Sequence, residues 1–446
     1  MRLLHAGPDL AAAADLAVAL QGAGHDVAAL LPYDASAEGR TRPTRVRVPV
    51  PVGPQTITAE ILQATGPAKL MCYLARPDED LPADSAARGI FLSQVAVEVA
   101  RRLLPSPVLL HLTGWEVALA PAYVRLNNLP FRTVLEVRDL SQQGSFDGQE
   151  FGATRLPAGF FSPGAVEFFG RLNFIKGGLV LADAFTVDAW SSYTALRTGP
   201  AAGGLGVVMA EQGYKCSPIF RPNQIAGWDP ASDDFVAKQF SADSLEKKSA
   251  SRSALLAATG TKRKCRGPVV LLTCRANEVV EAETVALLER WLVDDGKLVV
   301  ASTDDSAPAA LEAAAFREPT RATVLRGADD AALHRAVAGA DFQFFPNAPT
   351  IHFAEAAWRA MRYGTIPLAR DHIGRADLFG EHEGFAWFVD SNAAIWDTCG
   401  VRADKIFYSS DALHEMRTHA MHRAAKVTER TVANAHADLY RRLGVG

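Results

Sequence analysis

The chain has 446 residues, a formal net charge of −4 and an isoelectric point near 6.3. That length supports two buried cores, and the mild acidity offers no general attraction to nucleic acid or to an anionic membrane. Its 48% hydrophobic and 22% charged residues are those of an ordinary globular protein. No apolar run reaches the ~18 residues a membrane helix needs. The start, MRLLHAGPDL, enters a strand-like run where a signal peptide would place its apolar core. Five cysteines (Cys72, Cys216, Cys265, Cys274, Cys399) include no CxxC pair, which argues against structural zinc or a disulfide framework and suits a reducing cytoplasm.

Along the chain, Arg2 to Ala6 reads as a strand and Asp9 to Gln21 as an alanine-rich helix. A strand over Asp26 to Leu31, a short β-rich run over Val46 to Val52 and another over Lys69 to Ala75 follow. Phe91 to Leu104 has apolar residues recurring at three and four, the helical period. Pro107 to Leu112 and Arg132 to Val137 read as buried strands around a helix over Trp115 to Leu126. Such alternation predicts βαβ units and a mostly parallel sheet.

A polar, turn-rich segment opening at Gly227-Trp228-Asp229-Pro230 is the expected hinge. The basic knot Lys262-Arg263-Lys264 with Arg266 reads as a solvated loop more than as a binding patch. From Gly267 a second series begins, with strands PVVLLTC, KLVVAS, ATVLR, DFQFFP and TIPLA and helices over Glu281 to Val293, Asp329 to Ala338 and Phe353 to Tyr363. Ser410 to Leu443 reads as one or two helices with Arg and His on a polar face.

Three stretches carry more than periodicity. LPAGFFSPGAVEFFGRLNFIKGGLVLADAFTVDAWSSY from Leu156, SADSLEKKSASRSALLAATG over Ser241 to Gly260, and AMRYGTIPLAR over Ala360 to Arg370 resemble bacterial glycogen and starch synthases. Those are retaining transferases that move glucose from ADP-glucose to the end of an α-1,4-glucan. The resemblance implies an α/β glycosyltransferase B (GT-B) fold, with two Rossmann-like doubly wound domains facing across a cleft and a C-terminal helix packing back on the first. The expected divisions are an acceptor-side domain over 1–228, a hinge and linker helix over 229–266, a donor-side domain over 267–428 and a crossover helix over 429–446. In open α/β sheets ligands bind beyond the carboxyl ends of the strands.

The positions where the resembled family does its chemistry are largely rewritten. Its Lys-x-Gly-Gly-Leu phosphate loop is replaced by Gly7-Pro8-Asp9-Leu10 and a run of alanines. Alanine cannot replace a lysine at a phosphate. Asp15 matches an aspartate of the family, or is a solvent-facing helix residue. In His111-Leu112-Thr113-Gly114-Trp115-Glu116 the first histidine and the tryptophan of a His-Ala-His-Asp-Trp-His segment remain, both suited to packing at a strand end. In Glu136-Val137-Arg138-Asp139-Leu140-Ser141-Gln142-Gln143-Gly144, Arg138 stands where the family's sugar-facing histidine would be, while Leu140, Gln143 and Gly144 keep the turn. A guanidinium cannot accept a hydrogen bond and opposes cationic character at the sugar. Asp139 or Glu116 is its expected partner.

In the second half Arg275 keeps one of the diphosphate cations, or pairs with Glu278 or Glu281, while Val280 occupies the place of the family's lysine. The catalytic glutamate's position falls on Thr350 or Ile351, depending on the direction of counting, and Glu355 lies about a helical turn away. His372-Ile373-Gly374 stands for a Thr-Gly-Gly contact on the donor.

The resemblance thus implies a glycogen-synthase-like protein that has lost most donor-binding and catalytic residues: a pseudoenzyme serving as subunit, scaffold or regulator. No cofactor or metal is expected, and a protein partner or an α-glucan is expected in place of a nucleotide sugar. Asp15, His111, Trp115, Gln143, Arg275 and Gly374 are the candidate substrate contacts. Two alternatives stand: a retaining hexosyltransferase with a rebuilt donor site and a different sugar donor, with Arg138, Arg275, Asp15 and Glu355 as its site residues, and a sensor that binds α-glucan without turnover.

Overall fold

The computed structural model describes residues 1–105, 108–260, 265–280, 296–346, 350–369 and 405–445, together with Thr284, Val285, Leu288, Glu289, Trp387, Phe388 and Ala403. Most of the expected helix over Glu281 to Val293, the Lys262-Arg263-Lys264 knot, Cys399 and the His372-Ile373-Gly374 segment lie outside the described residues. Two compact units form. The first comprises Met1–Ala189, Ala195–Gln224 and Glu429–Gly446; the second comprises Trp190–Thr194 and Ile225–Thr428.

The first unit is built on a nine-stranded sheet. In chain order its strands are β1 (Arg2–Ala6), β2 (Asp26–Pro32), β3 (Arg42–Val52), β4 (Gln55–Thr65), β5 (Met71–Pro77), β6 (Val108–Thr113) and β7 (Arg132–Glu136). After the short strands β8 (Ser145–Asp147), β9 (Glu167–Phe168) and β10 (Arg171–Asn173), which pair as a separate antiparallel sheet, come β11 (Ala184–Val187) and β12 (Cys216–Pro218). The spatial order is β12-β11-β7-β6-β1-β2-β5-β4-β3, parallel from β12 to β5 and antiparallel beyond. β6 is buried at every position, as a central strand covered on both faces requires.

Two features escaped the sequence reading. The hairpin of β3 and β4 was expected only as Val46 to Val52, because Gln55–Thr65 mixes polar and apolar residues on a half-exposed strand. Pro43, Pro49 and Pro51 fit there because β3 is the sheet's edge and owes no hydrogen bonds on its outer side. The helix expected over Trp115 to Leu126 divides into a 3-10 turn, Trp115–Val117, and a helix over Ala120–Leu126 with Pro121 in its first turn.

Helix α1 (Leu10–Gly22) is nearly all apolar and sinks into the same core as the chain's last helix, Glu429–Arg442. Ala13, Ala14 and Ala17 of the one share a buried cluster with Ala433, Ala437 and Tyr440 of the other. The small alanine faces let the two helices approach closely.

The second unit carries a parallel sheet ordered β15-β14-β13-β16-β17-β18, from β13 (Val269–Cys274), β14 (Lys297–Ser302), β15 (Ala322–Leu325), β16 (Phe342–Phe345), β17 (Ile366–Ala369) and β18 (Trp387–Phe388). Among the described residues no helix is long and apolar enough to cross a membrane. Among the described residues, Cys72, Cys216, Cys265 and Cys274 form no disulfide.

Candidate functional site

At the carboxyl ends of β1, β6 and β7 the apolar pattern is interrupted by polar side chains that no solvent reaches. His5 and His111 are register partners on adjacent parallel strands, and Thr113 pairs with Glu136 in the same way. The His5 and His111 rings meet edge to face at 4.8 Å. His5 Nε2 lies 2.8 Å from the Thr113 hydroxyl, which donates to Glu136 Oε2 at 2.9 Å.

Glu136 is the hub. Arg138 Nε donates to its Oε1 at 2.7 Å, Arg221 Nε lies 3.6 Å from the same oxygen, and His111 Nε2 lies 3.6 Å from Oε2. The last two distances exceed a good hydrogen bond, so those attractions are electrostatic. Burial pushes the Glu136 carboxyl up, but His111, Arg138 and Arg221 together outweigh it and hold the group well below the usual carboxylate range. Arg221 also reaches Asp188 at 3.2 Å, and Gln224 donates to the other oxygen of Asp188 at 2.7 Å. Burial raises Asp188 even so. Asp15 on α1 senses the fields of Arg138, Arg221 and Glu136, and burial raises it as well.

The chain's last helix closes the cluster. Tyr440 places its hydroxyl 2.7 Å from His111 Nδ1, and the His436 ring lies 5.9 Å from that of His111. His436 Nδ1 faces the Val432 carbonyl at 3.0 Å, one turn earlier. His5 Nδ1 and His111 Nε2 are buried without a hydrogen-bond partner.

The structure therefore brings together Asp15, His111 and Arg138 of the residues singled out from sequence. It places the others elsewhere. Trp115 packs on Phe146 and Phe174, with ring centroids 5.5 and 5.6 Å away. Gly144, at φ +60°, leaves room for that indole: a Cβ there would sit 2.5 Å from Trp115 Cε3. The Gln143 amide donates to the carbonyls of Leu140 and Gly203 and accepts from Asn173, so it is tied into the turn. In the second unit Arg275 is exposed just past β13. Glu355 pairs with Arg359, one turn along the helix Phe353–Arg362. The Arg359 guanidinium lies over the Trp228 ring at 4.3 Å. Ser192 donates to the Ile351 carbonyl at 2.9 Å, and Thr350 is exposed. Gly374 lies outside the described residues.

His5, Glu136, Asp188, Arg221, Gln224, His436 and Tyr440 were missed. Single polar residues inside or at the end of otherwise apolar strands were the available signal for His5, Glu136 and Asp188. Nothing local links His436 or Tyr440 to the strand ends. Donor atoms of His5, His111 and Glu136 all lie within 4.8 Å of one another, which invites a metal reading. A tetrahedral ion with bonds of ~2.0–2.1 Å needs its donors roughly 3.3–3.4 Å apart. The spread is wider than that, and Arg138 already holds the carboxylate. The residues fit a hydrogen-bonded charge cluster better than a metal centre.

Known proteins place the molecule by class first: its neighbours among solved structures share the GT-B architecture. The catalytic domain of starch synthase IV from Arabidopsis thaliana, bound to ADP and acarbose, superposes with a TM-score of 0.74 at 20% identity, covering 99% of both chains. HepE from Anabaena in complex with UDP gives 0.56 at 10% identity, covering 99% of this chain and 100% of that one. The family profile of the starch synthase catalytic domain matches residues 10–209. A glycogen synthase from Anaeromyxobacter dehalogenans is 31% identical over 314 residues, 68% of this chain and 65% of that relative's length. Glycogen synthase 2 from Bradyrhizobium diazoefficiens is 26% identical over 386 residues, covering 83% and 78%. The chain belongs to the glycogen and starch synthase family.

Proposed function

We propose that this family member is non-catalytic, serving as a glucan-binding or protein-binding subunit or regulator that retains the GT-B scaffold without glucosyl transfer. The observation that carries this reading is the Arg138–Glu136 pair. Where the family resemblance puts a sugar-facing histidine, the side chain is a permanent cation anchored at 2.7 Å to a carboxylate buried beside it. Such a group neither accepts a proton nor tolerates positive charge developing on a sugar.

Two further observations support it. The acidic position falls on Thr350 or Ile351, which bear no charge, and the nearby Glu355 is engaged by Arg359. No lysine stands in the Gly7–Leu16 stretch that replaces the phosphate loop. Losing one preorganised contact costs about 3 kcal/mol, roughly a hundred-fold in rate, and here three such contacts are absent together.

The test is isothermal titration of the full chain with ADP-glucose, UDP-glucose and maltooligosaccharides, followed by an assay of nucleoside diphosphate release. Binding of maltooligosaccharide, or of none of these ligands, without nucleotide release is the expected result. Steady nucleotide release with lengthening of the glucan would reject the reading in favour of a hexosyltransferase with a rebuilt donor site.

A further inference from the structure

We propose that the C-terminal helix, Glu429–Arg442, is a proton-operated latch: at neutral pH it seals the His5–His111–Glu136 cluster, and acidification releases it ahead of the rest of the first unit. This inference is independent of whether the chain transfers glucose.

The geometry sets up a frustrated charge site. Imidazoles from three elements, His5 of β1, His111 of β6 and His436 of the helix, lie in a chain with ring centroids 4.8 and 5.9 Å apart, and all are buried. The groups facing them are Glu136 at the end of β7, Arg138 just beyond it, Arg221, Tyr440 on the helix itself, and Asp15 of α1 at the periphery. Glu136 is the carboxylate within reach of His111, and it already answers two guanidiniums. A proton added to the imidazole chain therefore meets two cations and a carboxylate that is already committed. Neither His5 Nδ1 nor His111 Nε2 has a hydrogen-bond partner to disperse the new charge. His436 uses Nδ1 toward the Val432 carbonyl, leaving Nε2 as its basic nitrogen.

The helix is the element that can yield. β1 and β6 are hydrogen-bonded on both sides at the middle of the sheet. The helix is held by side-chain packing against α1 and by the Tyr440 hydroxyl. Undocking it returns His436 to water and opens the way to His111 without breaking a strand.

The sign follows from linkage. Burial, then the neighbouring His111, lowers His436 from 6.5 to about 4, and burial and His111 also lower His5. A histidine depressed in the folded state binds fewer protons there than when released. Its contribution is whole above the free value of about 6.5 and is lost as pH falls toward the folded value.

Hydrogen–deuterium exchange on the full chain tests the latch, with uptake over residues 429–442 corrected for the intrinsic rate at each pH. The opening constant of the helix is expected to rise on the order of twenty-fold between pH 7 and pH 5, as that shift of His436 requires, while β1 and β6 keep their protection. In His436→Gln, which cannot titrate, most of the rise should vanish. The idea fails if the helix opens equally at both pH values, if it opens only in step with β1 and β6, or if His436→Gln keeps the full rise. Should that variant not fold, the wild-type comparison of the helix with β1 and β6 decides alone.

Discussion

The Tyr440 hydroxyl lies 2.7 Å from His111 Nδ1, joining residues 329 positions apart in the chain. With the other ring nitrogen facing Glu136 at 3.6 Å, the hydroxyl is positioned to donate to Nδ1 while Nε2 carries its hydrogen toward the carboxylate. The last helix is thus part of the polar cluster at the strand ends and adds more than apolar surface.

Tyr440→Phe removes that hydrogen bond and keeps the ring's packing. His111 Nδ1 is then buried without a partner, and such a loss costs about 1–3 kcal/mol. Urea unfolding of the full chain should show a lower midpoint with little change in slope. An unchanged midpoint would mean that water or another group satisfies the ring.

Glu136→Gln bears on the hub. It leaves Arg138 and Arg221 without their shared carboxylate and puts an amide among histidines; removing one partner of a buried pair costs about 3–5 kcal/mol, with the lower end expected because Arg138 is partly solvated. The pH dependence has a definite sign. Because the folded carboxyl is held below its unfolded value, the pairing stabilises at pH above about 4.3 and is lost as pH falls further. Wild type and variant should therefore converge in stability below pH 4, which denaturant titrations at several pH values would reveal.

How much of this was legible depended on whether the signal was local. The parallel sheet, helix α1 and the strand–helix alternation followed from apolar runs such as VLLHLT, because burial on both faces needs continuous hydrophobicity. Trp115 reads both as a strand-end packing residue and as a candidate substrate contact; in the structure it packs on Phe146 and Phe174. In the sequence Arg138 is a misfit for sugar chemistry, with Asp139 or Glu116 as its expected partner. Its partner in the structure is Glu136, two residues before it, which points the same way from the strand end. His436 and Tyr440 were read as part of a polar-faced terminal helix. Only long-range packing turns that face toward His111, and no spacing rule encodes a contact between opposite ends of the chain.

Gly144→Ala tests the packing around Trp115. Gly144 has φ +60°, and a Cβ there would lie 2.5 Å from Trp115 Cε3 and 2.9 Å from Cδ2. Strain in the left-handed region adds to overpacking of about 1–3 kcal/mol. The variant should unfold more easily and show altered tryptophan fluorescence, since the indole must move. A silent substitution would mean that the Gln143–Gly144 turn relaxes without disturbing Trp115.

On the non-catalytic reading proposed above, restoring charges singly or in pairs should not restore transfer. In Arg138→His with Thr350→Glu, the sugar-facing histidine and the acidic group return by the family resemblance, yet the lysine of the phosphate loop is still missing between Gly7 and Leu16. Removing one preorganised donor typically costs 10²–10³ in rate, and the new histidine would stand beside Glu136, already engaged by Arg221 and His111. Release of nucleoside diphosphate from ADP-glucose is expected to stay at the background of the unmodified chain. If the double variant turns over substrate, the phosphate-binding groups were never lost, and cations elsewhere in the chain grip the donor.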